Sequence, residues 1–154
     1  MNRVKIYSAT QINLLSPKTI EQKIHCNFSN TKANLAEAFI AIVPEGRGCV
    51  YPGATAVITS ENKLVRDIST GYAEVIISDS KLPPVHYIDG TVAFLSSQWG
   101  EKIYFHWMID TVIRIYLLQK SPIKIEKYVF DGSDKRFNQE TLKALGITPE
   151  KIIQ

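Results

Sequence analysis

Four ionisable side chains recur every four residues within a largely apolar stretch between Gly100 and Ser121. They are Lys102, His106, Asp110 and Arg114. This spacing predicts one stripe along an α-helix, because residues four apart are neighbours on a helix surface. A carboxylate at Asp110 can orient the imidazole of His106, which is a usual arrangement for a general base. Arg114 is expected to pair with Asp110 and to fix that carboxylate.

The same spacing is also typical of an exposed ladder of i,i+4 ion pairs, which carries no chemistry. The two interpretations differ in where the stripe lies, since a ladder faces open solvent and a catalytic pair lines a crevice. The remaining positions of the stretch are nearly all apolar and predict a helix that is buried on most sides. We therefore expect the stripe to line a crevice, with Lys102 as a solvated residue in the first turn.

Length, composition and charge exclude several classes of protein. A chain of 154 residues is long enough for one domain or for part of a larger one. The net charge is only +3 and the basic residues are scattered, so no nucleic-acid partner is expected. The N-terminus has no apolar segment typical of a signal peptide, and no apolar run reaches the roughly 18 residues of a membrane span.

The two cysteines, Cys26 and Cys49, fit neither a metal-binding spacing nor a disulfide framework. We expect free thiols in a reducing compartment. The predicted location is therefore the cytoplasm, with peripheral association at the inner face of the membrane as a further expectation.

Residues 1–88 predict a β-rich region of short antiparallel strands separated by frequent turns. The predicted strands are Val4–Tyr7, Phe39–Val43, Cys49–Tyr51, Ala56–Thr59, Leu64–Ile68 and Glu74–Ser78. Residues 89–154 change to an alternation of strand, helix, strand, helix and strand. These elements are predicted at Thr91–Ser96, Glu101–Gln119, Lys127–Asp131, Asn138–Leu145 and Lys151–Ile153.

The alternation in the second region predicts an α/β fold, in which helices cover a parallel sheet. Asn138 is expected to cap its helix, and Gly146 is expected to end it. Three parallel strands do not complete a domain, so we expect the sheet to continue beyond Gln154. Ligands bind such sheets at the carboxyl ends of the strands, which places His106 close to that edge.

The run from Tyr104 to Asp110, YFHWMID, resembles the Tyr/Phe–His–Trp–x–x–Asp motif of glycosyltransferase family 61. That family includes many bacterial proteins described as capsular polysaccharide biosynthesis proteins. Its motif is usually preceded by asparagine, where this chain has Ile103, and followed by Leu-Pro-Arg, of which Arg114 is kept. The run from Phe137 to Ile147 is similar to the second helix of the family, and the likeness covers roughly residues 39–154.

The resemblance implies the N-terminal part of an inverting glycosyltransferase, with a β-rich lead-in and the start of the first of two Rossmann-like domains. Such an enzyme transfers a sugar from a nucleotide sugar to a glycan acceptor in cell-surface polysaccharide synthesis. In the family the N-terminal half mostly binds the acceptor, and the nucleotide lies largely in the C-terminal half.

The resemblance carries His106 and Asp110 over as catalytic residues, and Arg114, Tyr104 and Trp107 as substrate-binding residues. The sequence indicates no cofactor, since no Asp-x-Asp pair stands out at a strand end, and whether the reaction needs a divalent metal stays open. The alternative is a non-catalytic remnant of the same fold that binds a carbohydrate or another partner. Because the chain matches the motif only in part, this alternative stays open.

Overall fold

The computed structural model describes residues 1–21, 23–51, 54–78, 84–97, 99–100, 102–130, 132 and 134–153. The strands are short and form four small sheets. The ten strands of the described residues are β1 Asn2–Tyr7, β2 Thr10–Asn13, β3 Lys32–Leu35, β4 Ala38–Ile42, β5 Arg47–Tyr51, β6 Ala54–Ile58, β7 Thr70–Gly71, β8 Val92–Phe94, β9 Lys127–Val129 and β10 Ile152–Ile153.

The N-terminal region is antiparallel, as its short strands and frequent turns predict. β1 pairs with β4, β2 pairs with β3, and β5, β6 and β7 form a three-stranded meander. The β2–β3 hairpin was not predicted, because its strands are mostly exposed and lack an alternating apolar face. The core of this region lies beneath β6, where Ala54, Ala56 and Ile58 are buried.

Two predicted strands of this region are wrong. Leu64–Ile68 forms an isolated bridge at Leu64 and then a 3₁₀ turn over Arg66–Ile68, which the Ser69 hydroxyl closes by donating to the Val65 carbonyl at 2.7 Å. Residues Ala73–Ser78 form helix α1 instead of a strand. Ala73 and Ile76 stand three residues apart and are both buried against β6, a spacing that suits a helix and not a strand.

The second region contains the predicted parallel sheet, with strand order β10-β9-β8. The mixed α/β class and the parallel pairing are thus confirmed. Its core packs the composite helix described below and helix α4, Arg136–Ala144, against the sheet. Within the described residues, no helix is long and apolar enough to cross a bilayer. The predicted strand end at Asp131 and the predicted helix start at Glu101 lie outside the described residues.

Residues 104–119 form one composite helix of three consecutive parts. These are α2, Tyr104–His106, a π segment, Trp107–Val112, and α3, Ile113–Gln119. A π segment has hydrogen bonds from residue i to i+5, so its turn is wider than an α-turn. The helix begins at Tyr104 because Ile103 has an extended backbone, and Lys102 is an exposed residue before it.

Helix α4 ends as predicted, but it begins differently. Gly146 has a φ of 74°, and the amides of Gly146 and Ile147 bond to the carbonyls of Lys143 and Leu142. This pair of bonds is a Schellman motif, which satisfies the last carbonyls of a helix. Asn138 is not the cap, because the extended residue before the helix is Lys135 and Asn138 lies inside the first turn, fully buried.

The two regions contact each other directly. A Cβ atom added to Gly48 in β5 would lie 2.5 Å from the Phe94 ring in β8, so only a glycine fits there. Ile40 of β4 packs against the core of the parallel sheet. The hydroxyls of Tyr7 and Tyr116 lie 3.0 Å apart and join β1 to α3.

Candidate active site

The candidate site lies where the composite helix follows strand β8. Leu95, Ser96 and Ser97, which continue the chain beyond β8, are all buried. The helix then begins within seven residues, so its first turn lies near the carboxyl end of the parallel sheet. Ligands bind α/β sheets at this edge.

The structure brings His106 and Asp110 together. His106 Nδ1 lies 2.9 Å from Asp110 Oδ2, and the two side chains are 36% and 39% exposed. A carboxylate accepts hydrogen bonds, so the neutral imidazole donates through Nδ1 and carries its lone pair on Nε2. An oriented imidazole with a free Nε2 can accept a proton from a substrate hydroxyl.

Arg114 has a partner other than the one expected from its spacing. Its Nη1 donates to the backbone carbonyl of Ser96 at 3.3 Å, and the described residues include no ion pair between Arg114 and Asp110. Arg114 therefore ties α3 to the end of β8. A guanidinium has five N–H donors, and the described residues show one of them bonded, so the others can meet a ligand at the same edge of the sheet.

The side chain of Trp107 lies in the core and not in the site. It is 0% exposed and packs against Phe130 and Phe137, with ring centroids 5.8 and 6.4 Å away. The expected substrate-binding role of Trp107 is therefore corrected, because an enclosed ring has no face for a sugar. Its contribution is to fix the helix on the sheet.

The two aromatic residues that directly precede His106 in the chain do reach solvent. Tyr104 is 59% exposed and stands edge-on to Phe137, with ring centroids 5.5 Å apart. Phe105 is 64% exposed and stands edge-on to the His106 ring at the same centroid distance. Phe105 was not among the predicted site residues, although its position directly before the histidine was a usable signal.

The composite helix is less buried than its apolar sequence predicts. The face opposite the core exposes a row of large apolar side chains, namely Phe105, Ile109, Ile113 and Tyr116. His106 and Asp110 lie on the flank between this row and the buried face. Within this chain the polar stripe thus borders solvent, and the expectation of an enclosed crevice is corrected.

No three His, Cys, Asp or Glu side chains among the described residues are grouped so that they could hold a metal ion. Comparison with protein-family models, curated proteins and solved structures gave no significant match. The glycosyltransferase resemblance accordingly stays a prediction from the motif.

Proposed function

We propose that this chain is the N-terminal, acceptor-binding part of an inverting glycosyltransferase that uses a nucleotide sugar. The observation that carries the proposal is the 2.9 Å hydrogen bond between His106 Nδ1 and Asp110 Oδ2. It supports a general base because the imidazole is oriented by a carboxylate and is only partly covered within this chain, so that the second domain proposed below can complete the crevice around it. The motif resemblance adds the substrate class, a glycan acceptor of cell-surface polysaccharide synthesis.

The reaction assigns one task to each residue of the pair. His106 Nε2 takes the proton of the acceptor hydroxyl while the oxygen of that hydroxyl bonds to the anomeric carbon of the donor sugar. The bond from that carbon to the diphosphate oxygen breaks, the nucleoside diphosphate leaves with the electron pair, and the configuration inverts. Asp110 holds the ring and stabilises the imidazolium that forms.

Tyr104 and Phe105 are proposed as the acceptor platform. The exposed Phe105 ring contacts the His106 ring, and the exposed Tyr104 ring precedes His106 by two residues. Aromatic faces combine a large apolar surface with a defined geometry that suits a sugar ring. The free donors of Arg114 are proposed to bind an anionic or hydroxyl group at the same edge.

The same proposal covers the domain organisation and the cellular location of the protein. We propose that the parallel sheet is the start of a Rossmann-like domain and that a second such domain supplies the nucleotide site. The thiols of Cys26 and Cys49 are free, which suits a reducing compartment such as the cytoplasm. The acceptor would be met at the inner face of the membrane.

The test is nucleotide-sugar turnover by the full-length protein with a glycan acceptor. His106→Ala is expected to lower kcat by about 10²–10⁴-fold, the usual contribution of a general base. Asp110→Asn is expected to lower kcat less, because the imidazole remains but loses its orienting charge. His86→Ala is the matched control, since that histidine is exposed and remote in sequence from the motif. Unchanged turnover in both His106→Ala and Asp110→Asn contradicts the proposal.

The exposed apolar row on the composite helix favours a second candidate function. A contiguous apolar surface beside aromatic side chains is typical of a binding face. In that case the chain is a non-catalytic module that binds a carbohydrate or another partner. The two candidates are separated by the same assay together with glycan-binding measurements, because a binding module loses affinity in Phe105→Ala and shows no turnover to lose.

A further inference from the structure

The π segment is the least regular part of the composite helix, and both residues of the candidate pair border it or lie in it. His106 directly precedes the segment and Asp110 is its fourth residue. Single π turns are rare and occur frequently at functional sites. The local cause of this one should therefore also determine the geometry of the pair.

The loop before the helix approaches the π segment closely at Gly100. The Gly100 amide donates to the Ser97 hydroxyl at 2.9 Å, within buried surroundings. A Cβ atom on Gly100 would collide with Ser97 Oγ and would lie 2.5 Å from Thr111 Oγ1. Thr111 belongs to the π segment and is 0% exposed, so it cannot turn out into solvent without moving the residues that enclose it.

The φ of Gly100 does not lie in the left-handed region, so the requirement for glycine here is one of space and not of backbone conformation. Thr111 Oγ1 makes no hydrogen bond among the described residues. The hydroxyl thus contributes its volume at this contact and no polar bond. Because Gly100 has no side chain, the loop can lie directly against Thr111 of the π segment.

We propose that Gly100 is a positioning residue for the His106–Asp110 pair and acts through its contact with Thr111. A methyl group at Gly100 must displace Ser97 or Thr111, and Thr111 is the residue next to Asp110. A hydrogen bond weakens steeply as its distance and angle depart from the ideal, so a small shift of the turn is enough to break the pair. The catalytic meaning of this role rests on the proposed function, whereas the hydrogen bond can be measured without it.

The test reads the tautomer of His106 by nitrogen NMR of the full chain labelled at its three histidines. In the wild type the neutral His106 ring is expected to carry its proton on Nδ1, and Asp110→Asn provides the spectrum of a ring without the carboxylate. Gly100→Ala is expected to move the His106 signals towards that spectrum. His25 and His86 serve as internal references and should not change.

Two further variants test whether the effect is steric. Thr111→Val keeps the volume and is expected to keep the wild-type His106 signals. Gly100→Ala combined with Ser97→Ala and Thr111→Ala removes both oxygens that the methyl group would meet, and is expected to restore those signals. If Gly100→Ala alone does not fold, this combined variant still tests whether the contact at Gly100 is steric.

Wild-type His106 signals in a folded Gly100→Ala overturn the proposal. A combined variant that fails to restore them also overturns it when Ser97→Ala with Thr111→Ala, in the presence of Gly100, keeps the wild-type signals, since that pair shows the effect of losing the Gly100 amide bond to Ser97. Loss of turnover without any change in the His106 signals would count against the positioning role while leaving the proposed function standing. If Gly100→Ala changes the His106 signals as expected but neither the wild type nor any variant shows turnover, the positioning role is supported and the proposed function is contradicted.

Discussion

Each residue of the His106–Asp110 pair owes its properties to different neighbours. His106 gains an oriented ring from Asp110, and it keeps access to solvent because it lies on the flank of the helix. One residue further on, Trp107 is wholly enclosed. A single step along the helix thus separates a side chain that can react from one that only packs.

The two cysteines give a prediction at the residue scale. Burial raises the pKa of the Cys49 thiol, whereas Cys26 is exposed. The thiolate is the nucleophile, so a raised pKa lowers the fraction of Cys49 that is present as thiolate at a given pH. The alkylation of Cys49 should therefore begin at a higher pH than in the unfolded chain. We expect iodoacetamide to modify Cys26 about tenfold faster or more at neutral pH.

The measurement is mass spectrometry of the alkylated chain over a pH series, with Cys26→Ser and Cys49→Ser as single-thiol references. Addition of denaturant should bring the two rates together, since it removes the burial of Cys49. Equal rates in the folded protein would show that Cys49 is not protected.

At the scale of the element, the π segment matches the composite helix to the spacing of its buried residues. Its buried residues Trp107, Thr111 and Ile115 recur every four positions, whereas an α-helix repeats every 3.6 residues. A strict period of four would drift around an α-helix. The wider π turn takes up that drift, so one face stays on the sheet over the whole length.

The end of helix α4 gives a prediction at the same scale. Gly146→Ala should lower the free energy of unfolding by about 1 kcal/mol, because alanine is strained at a positive φ. A Cβ atom there would meet no other atom within 4 Å, so the loss measures the backbone alone. Gly146→Asn is the control and should lose less, since asparagine tolerates this conformation. Urea unfolding of the three proteins provides the comparison, and an unchanged alanine variant would refute the conformational argument.

At the scale of the molecule, the β-rich region and the parallel sheet are joined by packing. Gly48 lies against Phe94, Ile40 enters the core of the parallel sheet, and the hydroxyls of Tyr7 and Tyr116 lie 3.0 Å apart. We therefore expect residues 1–88 and 89–154 to unfold in one transition. Two separate transitions would indicate two domains.

The two regions can be followed separately in one unfolding experiment. Trp107 fluorescence, in a Trp99→Phe background, reports on the parallel sheet, and the reactivity of Cys49 reports on the meander. Gly48→Ala should lower the free energy of unfolding by about 1–3 kcal/mol, the usual cost of overpacking. Both unfolding midpoints should therefore fall together. Thr10→Ala, in the exposed hairpin, should change neither.

Sequence alone determined the features that depend on nearby residues. The alternation of strands and helices predicted the parallel sheet, Gly146 predicted the end of α4, and the spacing of four predicted the contact between His106 and Asp110. Each of these rests on backbone preferences or on neighbours along one helix, which local sequence specifies.

Only the tertiary structure decided which apolar side chains are covered. An apolar helix predicts burial but not its direction, so Trp107 faces the core while Phe105 faces solvent. The partner of Arg114 and the helical form of α1 were decided in the same way, by surfaces that come from distant parts of the chain. The physical reason is that burial and pairing depend on what packs nearby in space, and the local pattern does not contain that information.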